Sequence, residues 1–142
     1  MIKISKITDY AIVVLASLAV ARGEVLTATS ISRSTQLPEP TVSKVLKLLS
    51  KGSVISSVRG AAGGYRMERS ATSISMREII TALDGPIAVT TCADPSGGDD
   101  CQIQGVCPMK RGWQKLNFAV ASAFDTVSLA DMIDVNCCRK AG

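Results

Sequence analysis

Residues Thr27 to Lys51, TATSISRSTQLPEPTVSKVLKLLSK, decide the fold. Thr27 can cap a short helix over about Ala28 to Ser34, with Ile31 facing inward. Gln36-Leu37-Pro38-Glu39 reads as a turn. Pro40 suits the first position of a further helix running to about Lys51, because its missing N–H costs nothing there. In that helix Val42, Val45, Leu46 and Leu49 share one face. Thr41, Ser43, Lys44, Lys47 and Lys51 are left outside. A short helix, a tight turn and a second helix with a small polar and cationic outer face is the order of a helix-turn-helix.

The flanks extend this pattern. Upstream, Thr8 can cap a helix to about Arg22, stopped by Gly23, with Ala11, Val14, Leu15, Leu18 and Ala19 on one face. Downstream, Gly52 ends the second helix. A strand over Val54 to Arg59, a turn Gly60-Ala61-Ala62-Gly63 and a return strand over Gly64 to Glu68 make a β-hairpin. Three helices followed by a hairpin is a winged helix-turn-helix. Its recognition helix offers Thr41, Ser43, Lys44 and Lys47 to base edges and phosphates. Its wing offers Arg59 beside Gly60, with Arg66 assisting. Each of these cations alone reads as a solvated face; their joint placement points to double-stranded DNA.

Ser75-Met76-Arg77-Glu78 is a capping box that opens a helix carrying Ile79, Ile80 and Leu83, closed by Gly85-Pro86. Pro108 then begins a long helix to about Thr126, with the stripe Trp113, Leu116, Val120, Phe124 and Val127. A short last segment, Leu129 to Ile133, adds Met132. The expected fold is mostly α with a small β-hairpin: a winged helix-turn-helix head plus a long helix, to which the resemblance given below assigns dimerisation. The expected division is 1–85 for the DNA-binding head and 86–107 for a cysteine-rich loop. Residues 108–134 are expected to form that helix and a C-terminal segment, and 135–142 a flexible tail.

Composition bounds the function. The chain has 142 residues, 46% of them hydrophobic and only 4% aromatic, so its core is built from aliphatic side chains. Residues 1–80 hold eleven Lys/Arg against five Asp/Glu, whereas residues 81–142 hold five against seven. A basic first half and an acidic second half suit a polyanion-binding head and a non-binding tail. There is no histidine. That removes Ser-His-Asp and Cys-His catalysis and every imidazole metal ligand, so an enzyme is not expected. Lys3 and Lys6 before the apolar stretch Ala11 to Val20 imitate a signal peptide, but Asp9 and Tyr10 interrupt it. The stretch is shorter than the roughly 20 apolar residues a membrane span needs. A cytoplasmic protein without membrane association is expected.

The five cysteines are Cys92, Cys101, Cys107, Cys137 and Cys138, an odd count that disfavours a secreted disulfide framework. Structural zinc sites favour tighter pairs than Cys92, Cys101 and Cys107 provide. Long, irregular spacing in a loop suits an iron–sulfur cluster, yet spacing leaves zinc, free thiols and a redox disulfide open. Cys107 precedes the long helix, whose dipole favours a thiolate, while Asp94, Asp99 and Asp100 oppose it. Three thiolates leave one iron position to a carboxylate, a terminal cysteine or an exogenous ligand. Cys137 and Cys138 read as an exposed pair of no special role.

Three stretches carry a resemblance. They are Ile4-Ser5-Lys6-Ile7-Thr8-Asp9-Tyr10-Ala11, Val58-Arg59-Gly60-Ala61-Ala62-Gly63-Gly64-Tyr65, and Leu83-Asp84-Gly85-Pro86-Ile87 leading into Cys92. From Lys3 to about Ile133 the chain resembles the Rrf-two family of bacterial winged-helix regulators, that of IscR and NsrR. Thr41-Val42-Ser43-Lys44-Val45-Leu46-Lys47-Leu48-Leu49 is most similar to the branch that regulates SUF iron–sulfur assembly operons. The resemblance implies a homodimer built on the long helix and an iron–sulfur cluster on Cys92, Cys101 and Cys107, 2Fe–2S ahead of 4Fe–4S. In some members an aspartate of the other subunit's first helix completes the site, and Asp9 matches it. Where IscR has a ligand histidine after the third cysteine, this chain has Lys110; where the family's recognition helix has a glutamate, it has Ser43. The wing arginine is retained as Arg59. The implied function is a cluster-sensing regulator, a repressor in kind, of iron–sulfur assembly genes; the alternative is a cluster-free regulator switched by thiol oxidation.

Overall fold

A computed structural model describes residues 3–97 and 101–133. Six α-helices and a two-stranded antiparallel sheet follow one another along the chain. Helix α1 spans Lys6–Val20, α2 Ala28–Thr35 and α3 Glu39–Lys51. Strands β1 (Ser56–Val58) and β2 (Gly64–Arg66) form the hairpin, and α4 (Met76–Asp84), α5 (Lys110–Asp125) and α6 (Leu129–Met132) complete the order. No helix among the described residues is long and apolar enough to cross a membrane.

The core sits where α1, α2, α3 and α4 meet. Leu15, Leu18, Ile31, Val42, Val45, Leu46, Leu49 and Ile79 are fully buried, and Leu129 of α6 joins them. All but Leu129 are the apolar positions expected from helical spacing; on α6 it is Leu129 that is buried, whereas Met132, the residue expected there, is 45% exposed. Truncating one of the leucines to alanine costs about 2–5 kcal/mol through lost burial and the cavity left behind.

Helix α1 starts earlier than the sequence suggests. Ser5 is its N-cap, accepting from the Thr8 amide. Thr8 is fully buried inside the first turn instead of capping it. Its hydroxyl is available for a tertiary bond, to Asp84 at the end of α4, at 2.7 Å. Thr27 caps α2 through a reciprocal bond pair with Ser30. The turn into α3 passes through Gln36, held in the left-handed region at φ 61°. Pro38 caps α3, and Pro40 lies one position further in than expected.

The strands are shorter than their apolar runs. The Val54 amide is spent on the Leu49 carbonyl at 3.0 Å, closing α3, so pairing begins only at Ser56. Ser56 pairs with Arg66, Ser57 with Tyr65 and Val58 with Gly64. Met67 turns into the core and ends the return strand. Leu26, between α1 and α2, exchanges two 2.8 Å backbone bonds with Tyr65 and so anchors the hairpin from the far side.

The capping box at Ser75 and Glu78 forms as read, and Gly85 closes α4 at φ 88°. Helix α5 begins at Lys110, not Pro108, because its first helical bond runs from the Trp113 amide to the Met109 carbonyl. Arg77 of α4 holds Asp125 of α5 at 2.8 Å. The expected stripe on α5 is half-buried: Phe124 and Val127 pack against the core, Trp113 and Val120 are partly covered, and Leu116 is 47% exposed; Ala121, outside the stripe, is the one buried residue of the helix, and Phe118, also outside it, is 71% exposed.

Candidate nucleic-acid interface and cysteine segment

The head presents two cationic features. Helix α3 leaves Lys44 and Lys47 exposed, with Thr41 and Ser43 half-buried on the same helix. This helix follows α2 across the turn at Gln36, the relation that seats a second helix in the major groove. Thr29 of α2 donates to Glu39 Oε1 at the start of α3, at 3.0 Å, tying the two helices across the turn. That bond was not legible beforehand.

The wing carries Arg59, exposed at the end of β1. Gly60 after it adopts φ 107°, a conformation that side chains with a Cβ rarely take. At Gly63 a Cβ would meet the Val58 and Gly60 carbonyl oxygens at 2.5 and 2.7 Å, so the tip closes tightly only without one. Arg66 is not free: its guanidinium holds Glu68 at 2.6 Å. It is half-buried, and of the two expected wing cations Arg66 alone has a carboxylate partner among the described residues.

Beyond the wing, Arg69 bonds Glu78 at 2.7 Å and the Ser73 carbonyl at 2.6 Å. This bond to Arg69 is the main reason the Glu78 carboxyl lies below its ordinary range; its bond to the Ser75 amide adds to the effect. Glu78 also raises the Arg69 guanidinium in turn. The pair fixes the chain between wing and α4, a role that only the capping half of the sequence motif announced.

Asp84 links this head to the cysteines. Its carboxylate lies 2.8 and 2.9 Å from Ser5 Oγ and accepts from Thr8 Oγ1. Gly85 and Pro86 follow directly and lead into the cysteine segment. Val89 donates its amide to Asn117 Oδ1 of α5 at 2.9 Å, and the 3-10 turn Thr91–Ala93 packs on the same helix. Cys92 lies in that turn, its sulfur 3.3 Å from Thr90 Oγ1. Asp94 is occupied locally, accepting from the Ser96 hydroxyl and amide, which hold its carboxyl below the ordinary range.

Cys92, Cys101 and Cys107 are all free and half-buried. Among the described residues no three Cys, Asp or Glu side chains stand together as a metal-holding group. Asp9 is exposed in the first turn of α1 and joins no such group. Three cysteines suit thiolate ligation in kind, while the described residues of one chain do not gather them into a site. Apolar side chains near Cys101 and Cys107 in sequence stand exposed: Ile103, Val106 and Met109 are 55%, 83% and 59% accessible. Asp99, Asp100, Cys137 and Cys138 lie outside the described residues.

Comparison with known proteins agrees with this architecture. The Rrf2 family, described as an iron-dependent transcriptional regulator, matches residues 4–135. An rrf2-like HTH-type transcriptional regulator of Rhodobacter capsulatus is 28% identical over 78% of this chain and 75% of its own length. The regulator IscR of Yersinia pseudotuberculosis is 30% identical over 61% of this chain, and the match spans about half (51%) of that protein. Among solved structures, CymR, the global cysteine regulator of B. subtilis, superposes with a TM-score of 0.66 at 26% identity, covering 93% of this chain and 96% of that one. IscR of T. potens gives 0.61 at 28%, covering 92% and 85%. An oxidised form of Staphylococcus aureus CymR gives 0.62 at 27%, covering 94% and 100%.

Proposed function

Because this chain belongs to the Rrf2 family of transcriptional regulators, we propose that it is a homodimeric DNA-binding regulator whose hold on its operator is set at Cys92, Cys101 and Cys107. The dimer would form on α5. The observation that carries it is that α5 leaves the large apolar side chains Leu116 and Phe118 exposed, as the segment before it leaves Ile103, Val106 and Met109. Surface of that kind is ordinarily covered by a partner. In such a dimer the two recognition helices and wings address successive half-sites of one duplex. Thr41, Ser43, Lys44 and Lys47 of α3 supply base-edge and phosphate contacts, Arg59 holds the backbone beside the wing, and Arg66 contributes once it parts from Glu68.

The three cysteines are the proposed holders of an iron–sulfur cluster, 2Fe–2S ahead of 4Fe–4S, with Asp9 of the partner subunit as the proposed fourth donor. Such a cluster supplies a redox- and supply-sensitive charge that the thiolates sense. The chain's own part is mechanical. Cys92 is fixed to α5 through its turn, and the Asp84 carboxylate ties the root of the same segment to the first turn of α1. Any rearrangement that gathers the three sulfurs pulls on both attachments. The genes governed would be those of iron–sulfur assembly.

A second reading has its own support. The sulfurs are free and not gathered, and the similar CymR structures include an oxidised form. Reversible oxidation of two of these thiols would then be the switch. Anaerobic purification with visible absorption, iron, zinc and acid-labile sulfide analysis separates the readings. Brown protein with near-equal iron and sulfide supports the cluster. Colourless protein that takes up none on reconstitution removes it and leaves the thiol switch.

A further inference from the structure

We propose that Glu39 is a specificity-determining residue of the DNA interface, its carboxylate accepting a hydrogen bond from the exocyclic amino group of a cytosine in the major groove. This rests on the winged-helix reading of α2 and α3. Glu39 is the first residue of α3 and is exposed. In a helix-turn-helix the N-terminal residues of the second helix are those that reach base edges.

The surroundings of Glu39 are unusual for the start of a DNA-reading helix. A helix N-terminus normally offers free amides to phosphate. Here Pro38 and Pro40 flank Glu39, and neither has an N–H to give. The carboxylate itself repels phosphate. This end of α3 is thus poorly built for the backbone, while Lys44 and Lys47 further along supply the attraction to it. The carboxylate is also held in place. Thr29 donates to Oε1 at 3.0 Å, and Oε2 has no protein donor among the described residues. One oxygen is fixed and the other remains available as an acceptor.

Base chemistry then selects the partner. Guanine presents only acceptors in the major groove, N7 and O6, and thymine an acceptor and a methyl group. A carboxylate finds no donor on either. Adenine offers N6–H beside the N7 lone pair, which repels a second carboxylate oxygen. Cytosine offers N4–H without that neighbour, and carboxylates pair with it accordingly.

The test is operator selection from a randomised duplex library by the full-length protein, in anaerobic and in oxidised preparations, for wild type, Glu39→Gln and Thr29→Val. Wild type is expected to enrich cytosine at one position in each half-site. Glu39→Gln keeps an acceptor for Thr29 but turns an amide N–H, a donor, toward the base, so cytosine N4 loses its acceptor. It should replace the cytosine preference with bases that present a major-groove acceptor, leave the other positions unchanged, and bind the wild-type sequence roughly tenfold more weakly. Thr29→Val should blur the same position alone. Wild-type affinity for duplexes with that one cytosine replaced gives the same readout without any variant. Identical selected sequences for wild type and Glu39→Gln would overturn the assignment. So would a uniform gain in affinity for every sequence, which marks a carboxylate that only repels the backbone. Wild type that retains no duplex in either preparation overturns the DNA-binding reading, and this assignment with it.

Discussion

The hydroxyl of Thr8, fully buried in the first turn of α1, donates to Asp84 Oδ2 at the last residue of α4, at 2.7 Å. The two residues stand 76 positions apart. They close the head into a ring at the point where the cysteine segment departs. Replacing Asp84 by alanine strands the Thr8 hydroxyl and releases the Ser5 cap from its second partner. A buried donor deprived of its acceptor costs about 1–3 kcal/mol. Urea unfolding of Asp84→Ala should show a loss of that size, and an unchanged midpoint with unchanged slope would contradict the clamp.

The wing predicts a charge effect of definite sign. Arg66 is paired with Glu68 in the free protein. Glu68→Ala releases the guanidinium and removes a carboxylate from beside the wing. Affinity for duplex DNA of any sequence should rise several-fold at low salt, and the gain should shrink as salt screens it. Equal or weaker binding would mean that Arg66 takes no part.

Arg59 and Lys47 make the opposite prediction. Each, changed to alanine, should weaken binding evenly across sequences. Each should also reduce the slope of log affinity against log salt by about 0.9, the contribution of one phosphate contact. Fluorescence anisotropy at several salt concentrations measures both quantities. A slope that does not move removes the residue from the backbone-contacting set.

Glu78 carries the pH dependence. Its carboxyl is held below the ordinary range, chiefly by Arg69, so the folded state binds the proton less readily than the unfolded chain. The resulting stability is present above the ordinary glutamate value of about 4.3 and is lost as pH falls through the lower folded value. Both partners are about 40% exposed at the side chain, so the contribution is modest, under about 1 kcal/mol. Glu78→Gln retains the capping box but not the charge. Its deficit relative to wild type should be constant from about pH 5 to 7, shrink below the ordinary glutamate value, and vanish only once the pH is below the lowered folded value. A deficit that persists in acid would place the effect in packing.

The head was readable because its signals are local. Thr27, Ser75 with Glu78, Gly52 and Gly85 mark helix ends by chemistry that needs no tertiary context, and the aliphatic spacing of α3 sorts its faces. Thr8 misled because a threonine three residues into a helix looks like a cap when Ser5 is passed over. Only the tertiary partner, Asp84, shows why the hydroxyl is buried. The pairing of Leu26 with Tyr65 is one residue long, too short to leave an alternating pattern. The α5 stripe satisfies helical spacing, yet spacing does not say which surface covers it: Phe124 and Val127 at its end meet the core, while Leu116 stays exposed. The cysteines are the sharpest case. Their number and loop were plain, whereas whether three sulfurs meet depends on how the segment folds and on what a second chain contributes.

The central claim is that Cys92, Cys101 and Cys107 set the hold on DNA through a bound cluster. Its most direct test is the affinity of one anaerobic preparation for a selected duplex, measured before and after iron and sulfide are stripped, with Cys101→Ala alongside. The two wild-type forms are expected to differ by about 5- to 150-fold, the usual span of such couplings. Cys101→Ala, folded and dimeric, is expected to hold no cluster and to bind as the stripped form does under both conditions. Equal affinity of the loaded and stripped forms, or a full complement of iron and sulfide in Cys101→Ala, would contradict that claim.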